Sequence, residues 1–147
     1  LVVVDWGAAS EDYFSDLTRV ISVGDIDPEF AKIAAVVKEA NDAGRAAVRP
    51  GVPIGDVDRA AREVIEGAGY GPYFTHRLGH GLGMEEHEDP YAFGGNPLRL
   101  EPGMTFTVEP GIYLPGRVGV RIEDNVAVTD IGHETLTSLP REPFRIE

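Results

Sequence analysis

The chain has 147 residues, 42% of them hydrophobic and 26% charged, with no cysteine and a formal net charge of -12. Its length suits one core rather than two, so a single unit is expected. The acidity excludes a nucleic-acid backbone or an anionic membrane surface as partner, and the missing cysteines exclude disulfides and thiolate metal ligands.

No apolar run approaches the ~20 residues that span a bilayer, so a soluble protein is expected. Leu1-Val-Val-Val-Asp5 opens directly on an apolar strand. Free termini are ordinarily frayed and exposed, which leads to the expectation that an upstream portion is missing. A turn-like Gly7-Ala-Ala-Ser10 leads to a second strand over Phe14 to Val23, where Asp16, Thr18, Val20 and Ser22 share one face. A hairpin would bring Asp5 and Asp16 together across neighbouring strands.

Asp27-Pro28, with Glu29 in the first turn, has the chemistry of a helix start. Phe30, Ile33, Ala34, Val37 and Ala40 recur at helical spacing and predict a helix to about Val48, closed by Arg49-Pro50-Gly51. A second helix, from Ile54 or Gly55 to Ala68, buries Val57, Ala60, Ala61, Val64 and Ile65 and stops at Gly67 and Gly69.

From Tyr70 the texture changes to glycine, proline and short β-like runs. The segment Thr75 to His87 holds three of the four histidines. His76 and His80 stand four apart, but Gly79, Gly81 and Gly83 disfavour a helix and suit an extended segment approached closely by another backbone or a ligand. His133, in a turn-like Ile-Gly-His-Glu context, reads as an ordinary structural residue.

Strands are expected near Met104 to Glu109, Val118 to Thr129 and Thr135 to Leu139. Alternation puts Met104, Phe106 and Val108 on one face and Thr105, Thr107 and Glu109 on the other. In the next strand Val118, Val120, Ile122, Val126 and Val128 share the apolar face, with Arg121 and Glu123 opposite. Taken singly, a strand glutamate is ordinarily a solvated alternation partner. Asp5, Asp16, Glu109, Glu123 and His80 together form an oxygen-rich set suited to two divalent cations, and two-metal sites favour hydrolysis. Two bound dications would neutralise about four of the negative charges locally.

The stretches Val4-Asp-Trp-Gly7, Ser15-Asp-Leu-Thr-Arg19, Gly79-His-Gly-Leu-Gly83, Thr107-Val-Glu-Pro-Gly111 and Val120-Arg-Ile-Glu-Asp124 resemble, in order, the five metal-site motifs of the M24 metallopeptidases. This group contains prolidases, Xaa-Pro aminopeptidases and methionine aminopeptidases. The resemblance implies an α+β pita-bread fold of the creatinase/aminopeptidase type, here its C-terminal portion: an antiparallel curved sheet with two helices packed on it. It implies that residues 1–147 are the C-terminal part of one catalytic domain, whose upstream half and N-terminal domain are absent. Such a chain, taken alone, is expected to be inactive.

By the same resemblance Asp5 chelates one metal, Asp16 and Glu123 bridge both, and His80 and Glu109 complete the second shell. Glu109 shuttles a proton, His87 stabilises the tetrahedral intermediate, and His76 and Arg121 line the substrate pocket. The implied cofactors are two divalent ions, Mn²⁺ first, with Co²⁺ or Zn²⁺ admissible.

The implied function is cytoplasmic hydrolysis of the bond preceding proline in dipeptides or short peptides. The alternatives are a methionine aminopeptidase and, from another class, a non-catalytic binding module or inactive fragment. Implied partners are a small peptide, the missing N-terminal part and a second copy in a homodimer. Glu86 departs from the family, which usually has an aliphatic residue before the histidine.

Overall fold

The computed structural model describes residues 1–147. Strands β1 (Val2–Ser10) and β2 (Tyr13–Val23) form an antiparallel hairpin in which Asp5 faces Thr18 and Gly7 faces Asp16. Asp5 and Asp16 are therefore diagonal neighbours on one face rather than a direct pair.

The turn falls at Glu11-Asp12, both at positive φ, and not at Gly7–Ser10 as expected. A two-residue turn with positive φ at both positions matches strand twist. Gly7 instead permits close approach within the hairpin, since a Cβ there would collide with the Ser15 carbonyl oxygen.

Helix α1 (Pro28–Ala47) is capped by Asp27, whose side chain accepts from the Glu29 N–H at 2.8 Å. Helix α2 (Ile54–Gly67) packs beside it. Their stripes, with Ile33, Val37 and Ala40 on one and Ile54, Val57, Ala61 and Ile65 on the other, are fully buried. Neither helix is long and apolar enough to cross a membrane.

The remaining strands are β3 (Gly79–Gly81), β4 (Glu88–Ala92), β5 (Thr105–Val108), β6 (Gly111–Leu114), β7 (Val118–Arg121), β8 (Asp124–Val128), β9 (His133–Thr135) and β10 (Phe144–Ile146). Five of them make an antiparallel sheet in the order β4-β3-β5-β8-β9, and β6 pairs with β7. Phe106, Val108, Val120 and Val126 point from these strands into the core beneath the helices.

Three departures from the sequence-based expectations matter for the site. The expected strand from Val118 to Thr129 is broken at Ile122-Glu123, because β7 pairs with β6 while β8 pairs with β5. The expected strand over Thr135 to Leu139 is instead β9, which ends at Thr135. One pairing is parallel: β10 runs alongside β2, with Phe144 opposite Ile21.

Candidate metal centre

A cleft of ≈ 550 Å³ with no hydrophobic lining residue draws its side chains from the β1–β2 hairpin, from β3 and β7, and from the residues just after β5 and β7. It is lined by Asp5, Asp16, His76, Arg77, His80, His87, Glu109, Arg121 and Glu123, so all eight residues singled out in the sequence meet there. His133 lies elsewhere, with Nδ1 3.2 Å from the Val48 carbonyl.

Each element delivers its side chain for a local reason. Gly79 lets β3 approach β5, since a Cβ there would overlap the Thr107 carbonyl oxygen. His80 follows, with Nδ1 2.9 Å from the Gly81 carbonyl. That contact assigns the proton to Nδ1 and frees Nε2, which faces Asp16 Oδ2 at 3.6 Å and Glu109 Oε1 at 3.5 Å. Thr107 accepts from the His80 N–H at 3.1 Å and donates to Glu109 Oε1 at 3.2 Å.

Glu123 sits in the break between β7 and β8. Its N–H donates to the Thr18 carbonyl at 3.1 Å, and its side chain is 1% exposed. Oε2 accepts from the Thr18 hydroxyl at 2.6 Å, whereas Oε1 is buried without a partner. Burial first, then the Glu109 charge, pushes the Glu123 carboxyl up to about 9. Burial pushes Glu109 up to about 7. Burial opposes charge on His80 and Asp16 alike, but their mutual attraction raises the imidazole pKa and lowers that of the aspartate.

Arg121 donates to Asp5 Oδ2, to the Tyr113 hydroxyl at 3.2 Å and to Thr18 Oγ1 at 3.2 Å. Burial opposes its charge, but Tyr113 and the surrounding carboxylates raise its pKa in net. The Tyr113 hydroxyl lies 2.9 Å from His76 Nε2. Burial, then Arg121, Arg62 and Arg77, holds His76 below the usual imidazole range, so its ring is neutral. The His87 ring lies against that of His80, with centroids 3.8 Å apart.

Thr18 and Thr107 lie within the motif stretches but are not among the residues singled out there, and Tyr113 and Arg77 lie outside those stretches. Thr18 was detectable, since it shares the alternation face of Asp16. Tyr113 belongs to β6, a short strand between glycine and proline that gave no periodic signal.

The ligating atoms of Asp5, Asp16 and Glu123 lie within 4.8 Å of one another, as do those of His80, Glu109 and Glu123 and those of Asp16, His80 and His87. Glu123 belongs to two of these triplets and has one buried carboxylate oxygen without a donor, which fits divalent cations.

The two helices and the antiparallel strands that carry this cleft have the pita-bread fold. The metallopeptidase family M24 model matches residues 1–130, and the chain belongs to that family. It is 48% identical over 136 residues to an uncharacterized peptidase of Staphylococcus aureus (strain bovine RF122 / ET3-1), covering 92% of this chain and 39% of that protein. The structure of a recombinant prolidase from Thermococcus sibiricus matches with TM-score 0.96 at 46% identity, covering 98% of this chain and 39% of that one. An X-Pro aminopeptidase from Thermotoga maritima MSB8 matches with TM-score 0.96 at 43% identity, covering 98% and 40%. The chain thus spans about two fifths of the length of these relatives.

Proposed function

We propose that this chain carries the dinuclear metal centre of a peptidase that cleaves the bond preceding proline in dipeptides or short peptides. The observation that carries the reading is the shared position of Glu123, whose side chain belongs both to the Asp5/Asp16 triplet and to the His80/Glu109 triplet. Asp16 shares one triplet with Asp5 and Glu123 and another with His80 and His87, so Asp16 and Glu123 would be the residues that hold both ions. Two divalent cations, Mn²⁺ in the first instance, would supply Lewis-acid polarisation and acidification of water.

The protein's own groups do the rest. Glu109, beside His80 and Thr107 in the cleft, accepts a proton from the attacking water and passes it to the leaving amine. His87, at the rim beside His80, donates to the developing oxyanion. Neutral His76 and charged Arg121, joined through Tyr113, form a wall for the proline end of the substrate. A prolyl amide lacks the N–H that most peptidases recognise, so a dedicated wall is chemically sensible.

The share of relatives' length supports reading the chain as part of a larger catalytic unit, so the activity is proposed for the whole protein. A homodimer and a cytoplasmic location belong to the same proposal, the latter compatible with the absence of cysteine.

The test is hydrolysis of a Xaa-Pro dipeptide and a Xaa-Pro-Xaa tripeptide by the protein with Mn²⁺. Cleavage of the dipeptide alone assigns a dipeptidase, and of the tripeptide alone an aminopeptidase. Release of methionine from Met-Ala with both proline substrates untouched would replace this reading by the methionine aminopeptidase alternative.

A further inference from the structure

We infer that Asn41, on helix α1 and outside the cleft, is a positioning residue that sets the separation of Glu109 and Glu123; the inference rests on the proposed metal centre. Asn41 is fully buried and interrupts the otherwise small and aliphatic stripe of Ile33, Val37, Ala40 and Gly44. An uncharged polar side chain in such a stripe requires partners. Its partners are specific.

The carboxamide Nδ2 donates to the Val108 carbonyl at 2.9 Å and reaches the Ile122 carbonyl at 3.5 Å. Each carbonyl belongs to the peptide unit immediately before one of the two glutamates. Fixing a peptide plane fixes where the next Cα stands, and with it the point from which that side chain leaves. One amide group with two hydrogens therefore spans both glutamate attachments.

The amide orientation follows from its other end. Oδ1 accepts from Arg45 Nε at 2.8 Å, and a guanidinium can only donate, so the nitrogen must face the two carbonyls. Arg45 Nε is also 3.6 Å from Asp124 Oδ2. Asp124 in turn binds Arg19 at 2.7 Å, and Arg19 Nη1 donates to the Glu123 carbonyl at 2.6 Å. The break at Ile122-Glu123, which no strand ladder stabilises, is thus held from the helix side by Asn41 and from the hairpin side by Arg19.

The experiment compares calorimetric Mn²⁺ binding and thermal unfolding in the wild type, Asn41→Leu, Asn41→Ser and Val37→Ala. Val37 is equally buried on the same helix, and truncating it loosens the core without touching either carbonyl. Asn41→Leu is expected to weaken Mn²⁺ binding ~10–100-fold, as loss of groups that orient metal ligands does, while Val37→Ala leaves it within twofold.

Mn²⁺ affinity within twofold of wild type in Asn41→Leu overturns the inference. If that variant does not fold, Asn41→Ser, which lacks the reach, takes its place under the same criterion. If the wild type binds no Mn²⁺, the metal centre itself fails as a reading. The positioning role is then judged from crystal structures of wild type and variant, where an unchanged Glu109–Glu123 separation overturns it.

Discussion

The Thr18 hydroxyl donates to Glu123 Oε2 at 2.6 Å, joining β2 to a segment 105 positions later in the chain. The same hydroxyl accepts from Arg121 Nε at 3.2 Å. Having one hydrogen, Thr18 must direct it at Glu123. The opening hairpin thereby orients a carboxylate that it does not carry.

Thr18→Val, nearly isosteric, removes that donor from a carboxylate whose other oxygen already lacks one. Without cations the variant should lose about 1–3 kcal/mol of stability, and its Mn²⁺ affinity should fall ~10–100-fold. Thr18→Ser should recover most of both. Denaturation in the presence of chelator, together with calorimetry, measures the two effects separately.

The glutamates make the metal-free protein sensitive to pH in a defined direction. Folded, Glu123 holds its proton to about 9 and Glu109 to about 7, against 4.5 in the unfolded chain. Between these values the folded state binds more protons, so stability is fully present below about 4.5 and falls as pH rises through 7 and 9. Cations require ionised carboxylates, so stabilisation by Mn²⁺ should grow over the same range. Melting temperatures with chelator at about pH 5, 7 and 9 should decline. Glu123→Gln should flatten that decline and abolish the gain from Mn²⁺.

At Gly79 an added methyl meets the Thr107 backbone rather than a side chain that could move aside. Gly79→Ala should cost about 3 kcal/mol and weaken metal binding by shifting His80. Gly67→Ala, at the end of α2 with open space around it, should be neutral or stabilising by up to about 1 kcal/mol. Urea titration of the pair distinguishes close approach from a general intolerance of alanine.

Arg62 on α2 grips Asp58 through two contacts of 3.0 Å and donates to the Phe74 and His76 carbonyls at 3.1 and 3.0 Å. Asp58 is fully buried and accepts from the Leu78 N–H at 3.1 Å. Arg62→Met should cost about 3–5 kcal/mol, because a buried carboxylate is left unpaired. It should lower kcat/KM for Xaa-Pro substrates through the displaced His76 while Mn²⁺ affinity holds. Equal losses in both would assign Arg62 to general stability instead.

The helices were legible because their caps and stripes are local: Asp27-Pro28 and the recurrence from Ile33 to Ala40 need no tertiary information. The gathering of carboxylates and histidines around one cleft was also legible, but through motif order rather than periodicity. The break at Ile122-Glu123 was hidden because Val118, Val120, Ile122, Val126 and Val128 keep the same parity across it. Alternation reports which face a residue takes and is silent about a change of pairing partner. Strands β4, β6 and β10 escaped for a related reason: they are three to five residues long and acquire their conformation from neighbours distant in sequence.

The pairing of β10 with β2 has a consequence in time rather than in space. A ribosome makes β2 about 120 residues before β10, an interval on the order of ten seconds. Meanwhile Arg19 has neither Asp124 nor the Leu139 and Pro140 carbonyls that later receive its donors. The strand bearing Asp16 and Thr18 is therefore synthesised well before the segments that enclose it. Newly made copies cannot complete this edge until residues near Phe144 have cleared the exit tunnel.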